Sequence, residues 1–317
     1  MYKISHIVNI YLVAFFVLLC TNGCKCEKTP DAVSDPGFMA YTFDWKNILP
    51  GYPIPGTLRY CFYPSDRGAM IQMDNDNIER MRFALPPDQY KVIIFNCDAD
   101  AIPVRNIKQF DESEAFLPTV SFKDAAQKAN ANQMPLYAVI IDTLLITPRL
   151  DSEIRVTPQS LAQPVGIKVN IKGMEYIKEC KSSLSGVLTA INLSTRKPVP
   201  GHPNTVVFET RRTSEGIEGN AMILGIASPT ESTDELADLS HQLTLDFTFI
   251  DGSTVSSTVD LENQLATIEG ETNPVEIEID ALIKRDPSFS VVLNGWKAEW
   301  GNIVASTGQK QFHKTKR

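Results

Sequence analysis

A nucleophilic triad needs a histidine within reach of a serine or cysteine, and this chain of 317 residues has only four histidines. His6 lies just ahead of an apolar N-terminal run, His202 in a Gly-His-Pro-Asn turn and His313 in a polar tail. His241 borders a strand pattern, with no partner in view. Ser194-Thr195-Arg196-Lys197 has the S-x-x-K form, yet it sits in a turn before Pro198 and lacks the S-D-N and K-T-G companions of that chemistry. Neither common glycine-rich phosphate loop occurs. Asp74, Asp76 and Glu79 resemble the start of a calcium loop, but the loop glycine and a bidentate glutamate at its end are missing. That segment reads as a solvated hairpin turn. Asn96-Cys97-Asp98-Ala99-Asp100 is also acidic and is expected to cap a strand end with side-chain-to-backbone bonds. Cys26, Cys61, Cys97 and Cys180 lack metal-ligand spacing. A Cys61–Cys97 bridge is open to an exported protein, with burial as small apolar residues as the competing reading. Trp45, Trp296 and Trp300 could stack on sugar rings or simply pack at strand ends. No catalytic residue, metal or cofactor is expected from these patterns.

The bulk composition agrees. Hydrophobic residues make up 43% and charged residues 21%, which excludes a disordered or collagen-like chain. The net charge of −8 disfavours nucleic acid and anionic head groups as partners. Six cysteines are too few for a disulfide scaffold of this length.

The N-terminus carries an address. Lys3 supplies a positive start, and Ile7 to Cys20 is apolar apart from Asn9. At about 14 residues this run has the length of a signal core and falls short of a spanning helix. It exits through Thr21-Asn22-Gly23-Cys24. A lipoprotein signal needs a small residue just before the acylated cysteine, and only Gly23 before Cys24 meets that need. Cleavage after Gly23 and lipidation of Cys24 are expected, against ordinary secretion with a cut near Gly23. Acyl chains on one residue would anchor the protein through about 0.8 kcal/mol per buried methylene. Residues 1–23 are thus read as a signal peptide and residues 24–37, rich in Pro and Asp, as a tether.

The elements that follow are strands. Period-2 alternation bounded by turn residues dominates the rest of the chain. A first block, residues 38–150, holds Met39–Trp45, Thr57–Pro64 with Leu58, Tyr60 and Phe62 on one face, Arg80–Leu85, Tyr90–Asn96 and Leu136–Ile146. Between Phe110 and Asn132 the sequence predicts loops and one helical turn. A second block, residues 151–306, holds predicted strands at Glu153–Thr157, Val165–Ile171, Leu184–Leu193, Val206–Arg211, Ala221–Ile226, Leu243–Phe249, Ser253–Asp260, Val275–Ala281 and Ser290–Trp300. Asp251-Gly252 predicts a hairpin with a type I′ turn. Ile177, Cys180, Leu184 and Val187 have helical spacing, with at most a short helix expected near Met174–Lys178. The spacing of strands and turns predicts an all-β chain built of β-sandwiches. Residues 307–317 are a polar, basic tail.

The order of strand phrases resembles a known family. Phe43-Asp44-Trp45 closes the first strand, followed by Leu58–Pro64 and by Met81–Asp98. Val165–Ser194, Leu243–Leu261 and the closing Asn294-Gly295-Trp296 continue the likeness. Behind a lipobox, this series resembles the fimbrillin-like lipoproteins that serve as anchor or accessory subunits of type V fimbriae. The resemblance implies two tandem transthyretin-like β-sandwich domains on an outer-membrane lipid anchor, exposed at the cell surface and without enzymatic activity. It also implies adhesion and fimbrial assembly, with fimbrial subunits as partners. Polymerising members exchange a strand after a protease removes an N-terminal one, and a retained lipid at Cys24 argues for an anchor instead. Sheet-edge pairing is the expected mode of contact, with Val291, Leu293 and Trp296 of the closing strand as expected interface residues. A surface glycan-binding lipoprotein for polysaccharide uptake is the alternative reading.

Overall fold

A computed structural model describes residues 35–66, 68–121, 127–202, 204–227, 240–261, 275–285, 288–300 and 303–304. The lipid-signal residues Gly23 and Cys24 lie outside this range. The described chain is nearly all β, with 23 strands numbered here in chain order. Two of its sheets form one sandwich. The first sheet runs β11 (Asp151–Val156), β1 (Gly37–Phe43), β4 (Arg80–Leu85). The second runs β12 (Gln159–Ser160), β10 (Tyr137–Ile146), β5 (Asp88–Asn96), β2 (Leu58–Pro64), β3 (Ile71–Asn75). Their facing side chains form an aromatic core. Leu58, Tyr60 and Phe62 do share one face, and with Met39, Tyr41, Phe43, Phe83 and Tyr90 they fill the space between the sheets. Phe83 is the hub, edge-on to Tyr60 at 4.6 Å and to Phe62 at 5.2 Å. Such edge-to-face pairs add roughly 0.5–1.5 kcal/mol each beyond burial.

A second sandwich stacks two six-stranded sheets. One runs β17 (Thr210–Arg212), β18 (Gly216–Ile223), β13 (Gln163–Lys172), β21 (Val275–Arg285), β22 (Phe289–Trp300), β23 (Ile303–Val304). The other runs β20 (Thr254–Asp260), β19 (Gln242–Phe249), β14 (Ile177–Ser185), β16 (Thr205–Phe208), β9 (Gln127–Asn130), β8 (Thr119–Ser121). Strict alternation builds this core: Val275, Ile277, Ile279, Ala281 and Ile283 of β21 point in, as do Leu243, Leu245, Phe247 and Phe249 of β19.

Sheet pairing crosses residue 150 in both directions. β11 follows residue 150 and runs parallel to β1 over six registered pairs. Conversely, the segment between β5 and β10 leaves the first sandwich: β9 pairs with β16, and β7 (Glu114–Phe116) pairs with both β6 (Val104–Arg105) and β15 (Ala190–Asn192). One hydrophobic cluster therefore joins Cys61, Tyr63, Ile93 and Phe95 of the first sandwich to the second.

Several local expectations change in the structure. Residues 110–132 hold one 3-10 turn at Phe110–Glu112, as expected, but also three strands of three or four residues in place of loops. The predicted helix shrinks to a 3-10 turn at Met174–Tyr176. The helical spacing of Ile177 and Cys180 comes from a bulge in β14 between Ile177 and Glu179, where one extra residue turns a period of two into a gap of three. The strand expected at Leu184–Leu193 breaks after Ser185, because Gly186 turns with φ 75°. The Asp251-Gly252 hairpin forms, but only Gly252 has positive φ there. Its N–H bonds to the Phe249 carbonyl at 3.0 Å, and the Phe249 N–H bonds to the Ser253 carbonyl at 2.9 Å. This is a three-residue loop closed by a glycine bulge, so no type I′ turn is needed.

Candidate subunit interface at a sheet edge

The acidic and polar groups singled out above are occupied by structure. Asp74 faces Arg59 across the β2–β3 ladder in a two-pronged ion pair, 2.7 Å on each prong. That contact holds the Asp74 carboxyl below the usual carboxylate range. Asp76 accepts from the Thr57 hydroxyl at 3.0 Å, and Asn77 accepts from the N–H groups of Glu79 and Arg80. Asp98 caps as expected, accepting from the N–H groups of Gly56 and Thr57. Asn96 accepts from the Tyr137 N–H at 2.7 Å and donates to the Pro135 carbonyl at 3.1 Å, so it pins the return of the excursion to β10. Ser194 and Lys197 sit in a turn after β15, where Asn192 Oδ1 receives the Ser194 hydroxyl and the Thr195 N–H.

Cys61, Cys97 and Cys180 are free thiols. Burial pushes Cys61 up to about 11 and Cys180 up to about 12, and raises Cys97 as well. Trp45 packs rather than projects: its Nε1 donates to the Ile78 carbonyl at 2.9 Å and its ring stacks on Phe43 at 5.9 Å. The Trp296 and Trp300 side chains lie outside the described residues. His241 is buried, with Nε2 3.1 Å from the Ala227 carbonyl. His202 Nε2 lies 2.7 Å from the Arg105 guanidinium, and burial with that neighbouring cation keeps its pKa low. Among the described residues, no three His, Cys, Asp or Glu side chains cluster in a way that could hold a metal.

The sequence-predicted interface strand is β22. It pairs with β21 along its whole length. On its other side β23 pairs only with Glu299 and Trp300. Among the described residues, the backbone from Ser290 to Ala298 is therefore open on that side. Val291 and Leu293 are half-buried and pack on the main core, opposite Ile283 and Ala281 of β21. Their side chains fix the strand in its sheet and leave its outer backbone unpaired among the described residues. Trp296 pairs in register with Ile279. Between Leu293 and Gly295 the ladder slips by one residue, placing Asn294 in a bulge. Phe289 starts the strand with an anchor, stacked on Phe249 at 4.4 Å.

A second open edge lies beside it. β20 pairs with β19 over seven residues and has no strand on its other side among the described residues. Parts of β20 and β22 approach within 8 Å between Cα atoms, so the two sheets present open edges on one side of the sandwich. Thr254, Ser256, Thr258 and Asp260 alternate outward along β20. Sequence reasoning missed this edge. Its signal was the uniform Thr/Ser alternation, free of the lysine or proline that often blunts an edge strand.

A family model described as a domain of unknown function (DUF5119) matches residues 27–209, more than half of the chain. A Bacteroides ovatus protein named "Putative fimbrium anchoring subunit Fim4B" is 22% identical over 293 residues, covering 85% of this chain and 86% of that one. The crystal structure of a Bacteroides ovatus protein described as a "putative adhesin" superposes with a TM-score of 0.60 at 17% identity, over 80% of this chain and 91% of that one. The fimbrial anchor protein Mfa2 from Porphyromonas gingivalis superposes with a TM-score of 0.50 at 11% identity, over 86% of this chain and all of that one. At these identities the two superpositions speak for a shared fold. The chain belongs to the DUF5119 family.

Proposed function

We propose that this protein is a non-catalytic anchor or accessory subunit of a fimbria. In this reading a signal peptide of residues 1–23 is removed after Gly23, and Cys24 carries the lipid that holds the chain at the outer membrane. Residues 24–37 act as a tether, and two β-sandwich units stand beyond it at the cell surface. The observation that carries the reading is the near end-to-end match to a relative named as a fimbrium anchoring subunit. The open β22 and β20 edges supply a physical means: an incoming strand completes a ladder with main-chain hydrogen bonds, while alternate side chains select the partner.

Co-purification from cells tests it. The intact lipoprotein is expected to bring down a fimbrial polymer, and a chain lacking Ser290–Trp300 is expected to lose it while keeping the circular dichroism of a folded β protein. Lysines at Val291 and Leu293 should act in the same direction, because they unseat the strand from its core. Mass spectrometry of the mature N-terminus is expected to find acylated Cys24. A free Thr21 or Lys25 amine there would remove the lipid from the reading. Full binding by the deleted chain would move the interface elsewhere. An intact protein that binds a polysaccharide and no fimbrial subunit would establish the glycan-binding alternative.

A further inference from the structure

The first strand of the described residues is placed to carry load. β1 is not an edge: β4 runs antiparallel to it on one side and β11 parallel to it on the other, with six registered pairs on each. Its inner row, Met39, Tyr41 and Phe43, is buried in the aromatic core. Its outer row is crossed by charge. Arg82 of β4 reaches Asp151 of β11 at 3.0 Å, and Arg80 of β4 reaches Glu153 of β11 at 3.0 Å. Both pairs span the strand between them. Glu153 also accepts from the Thr42 hydroxyl. The Arg82 guanidinium lies 4.7 Å above the Phe38 ring. Beneath these bridges Ala40, on the outward face, is only 3% exposed. At the entry point Asp35 pairs with Arg149 at 2.7 Å, and a Cβ on Gly37 would come within 2.6 Å of Ile146. The chain is thus gripped where it enters the fold.

The directions of the strands give this arrangement a mechanical meaning. The tether enters at the start of β1, and the chain runs from the end of β11 to the second sandwich by way of the two-residue β12 at the edge of the second sheet. Because β1 and β11 run parallel, tension between the two points pulls the strands past each other along their length. Every ladder bond then bears load together, instead of opening one at a time from an end. The excursion through β9 and β7 ties the second sandwich to the rest of the first, so β1 is the element that must slide.

We propose that the β4–β1–β11 sheet is a shear clamp: a force-bearing device that holds the folded body to its N-terminal attachment when the distal end is pulled. The clamp rests on the anchor reading for its biological use, and on the strand geometry for its existence. Exposed ion pairs contribute little one by one, so most of the resistance comes from the ladders and the buried inner row, and the charged bridges add a smaller part.

Single-molecule force spectroscopy on the mature chain tests this directly. One handle is placed ahead of Asp35 and the other at the exposed Asp251 turn. A second arrangement moves the first handle to Lys46, just past β1, from where the strand peels instead of shearing. Forced unfolding reads the unfolding barrier, and the first sandwich is expected to break at about twofold higher force in the first arrangement. Asp151→Asn with Glu153→Gln, both on the surface, should lower the rupture force of the first arrangement by about a tenth to a third and leave the second unchanged. Equal forces in the two arrangements would overturn the clamp. The result is separate from lipidation: a non-acylated Cys24 would remove the anchor and leave a high shear force standing, whereas a lipidated chain with a weak first strand would keep the anchor and refute the clamp.

Discussion

β1, near one end of the chain, has neighbours along both edges, whereas β22, near the other end, has a full partner on one side and a two-residue partner on the other. The cores beneath them differ as well. β1 covers an aromatic core in which Tyr41, Tyr60, Phe62 and Phe83 meet at tilted or edge-on angles. β21 and β22 cover a core made mainly of Val, Ile and Leu in strict alternation. Interlocked rings resist sliding, because each is keyed to the next across the sheets. An aliphatic sandwich with open edges can accept another strand without disturbing its interior.

This contrast can be broken at its centre. Phe62→Ala removes a fully buried ring that touches Tyr41, Phe83 and Tyr90, and is expected to cost about 3–5 kcal/mol in denaturant unfolding. Since one cluster links the first sandwich to the second, the loss should appear as a single earlier transition, with fluorescence and circular dichroism coinciding. Two separated transitions would show that the regions are energetically distinct. Asn96→Ala comes next. It strips the Tyr137 N–H and the Pro135 carbonyl of their buried partner, at a cost of about 1–3 kcal/mol. Hydrogen exchange at Tyr137 should accelerate more than at β21.

Tyr41→Phe should act the other way. The Tyr41 hydroxyl is buried and lacks a hydrogen-bond partner, and removing an unsatisfied group is expected to stabilise by up to about 1–3 kcal/mol. A destabilised variant would mean that the hydroxyl has a partner after all. The smallest effect is a pH dependence. The folded-state pKa of Asp74 is depressed by Arg59, so its contribution is present above the unfolded carboxylate value and fades as pH falls through the folded one. Solvent exposure of the pair limits this to less than about 1 kcal/mol. Asp74→Asn should flatten that part of the acid stability profile.

Much of the strand content was legible because half-buried strands announce themselves by alternation, as in Leu58–Pro64 and Leu243–Phe249. The excursion from Cys97 to Leu136 was not. Strands of two to four residues such as β6, β7, β8 and β9 carry too few alternations to register, and their partners lie far along the chain. The parallel pairing of β1 with β11 was equally hidden, since nothing local couples Phe38 to Asp151. At the candidate interface, the closing strand with its Val291 and Leu293 was readable, whereas the side to which those two residues point was not. Register shows them facing the core, as pairing with the buried Ala281 and Ile283 requires. The open edge of β20 depends on which strands are missing beside it, and only the assembled sheet order shows that.

The three free thiols among the described residues have a consequence for the route by which such a chain reaches its destination. With its pKa near 11, the Cys61 sulfur is ionised in only about one molecule in ten thousand at neutral pH. Cys180 is quieter still. In the folded protein Cys61 and Cys180 are shielded by burial, and Cys97 less so, being only half-buried. Before folding, the same sulfurs have no such cover. In the exported setting proposed here, the order of events decides the outcome: a chain that collapses promptly hides its thiols, and one that lingers unfolded offers them to mispairing. Oxidative quality control would then act on slow folders and pass over the completed protein.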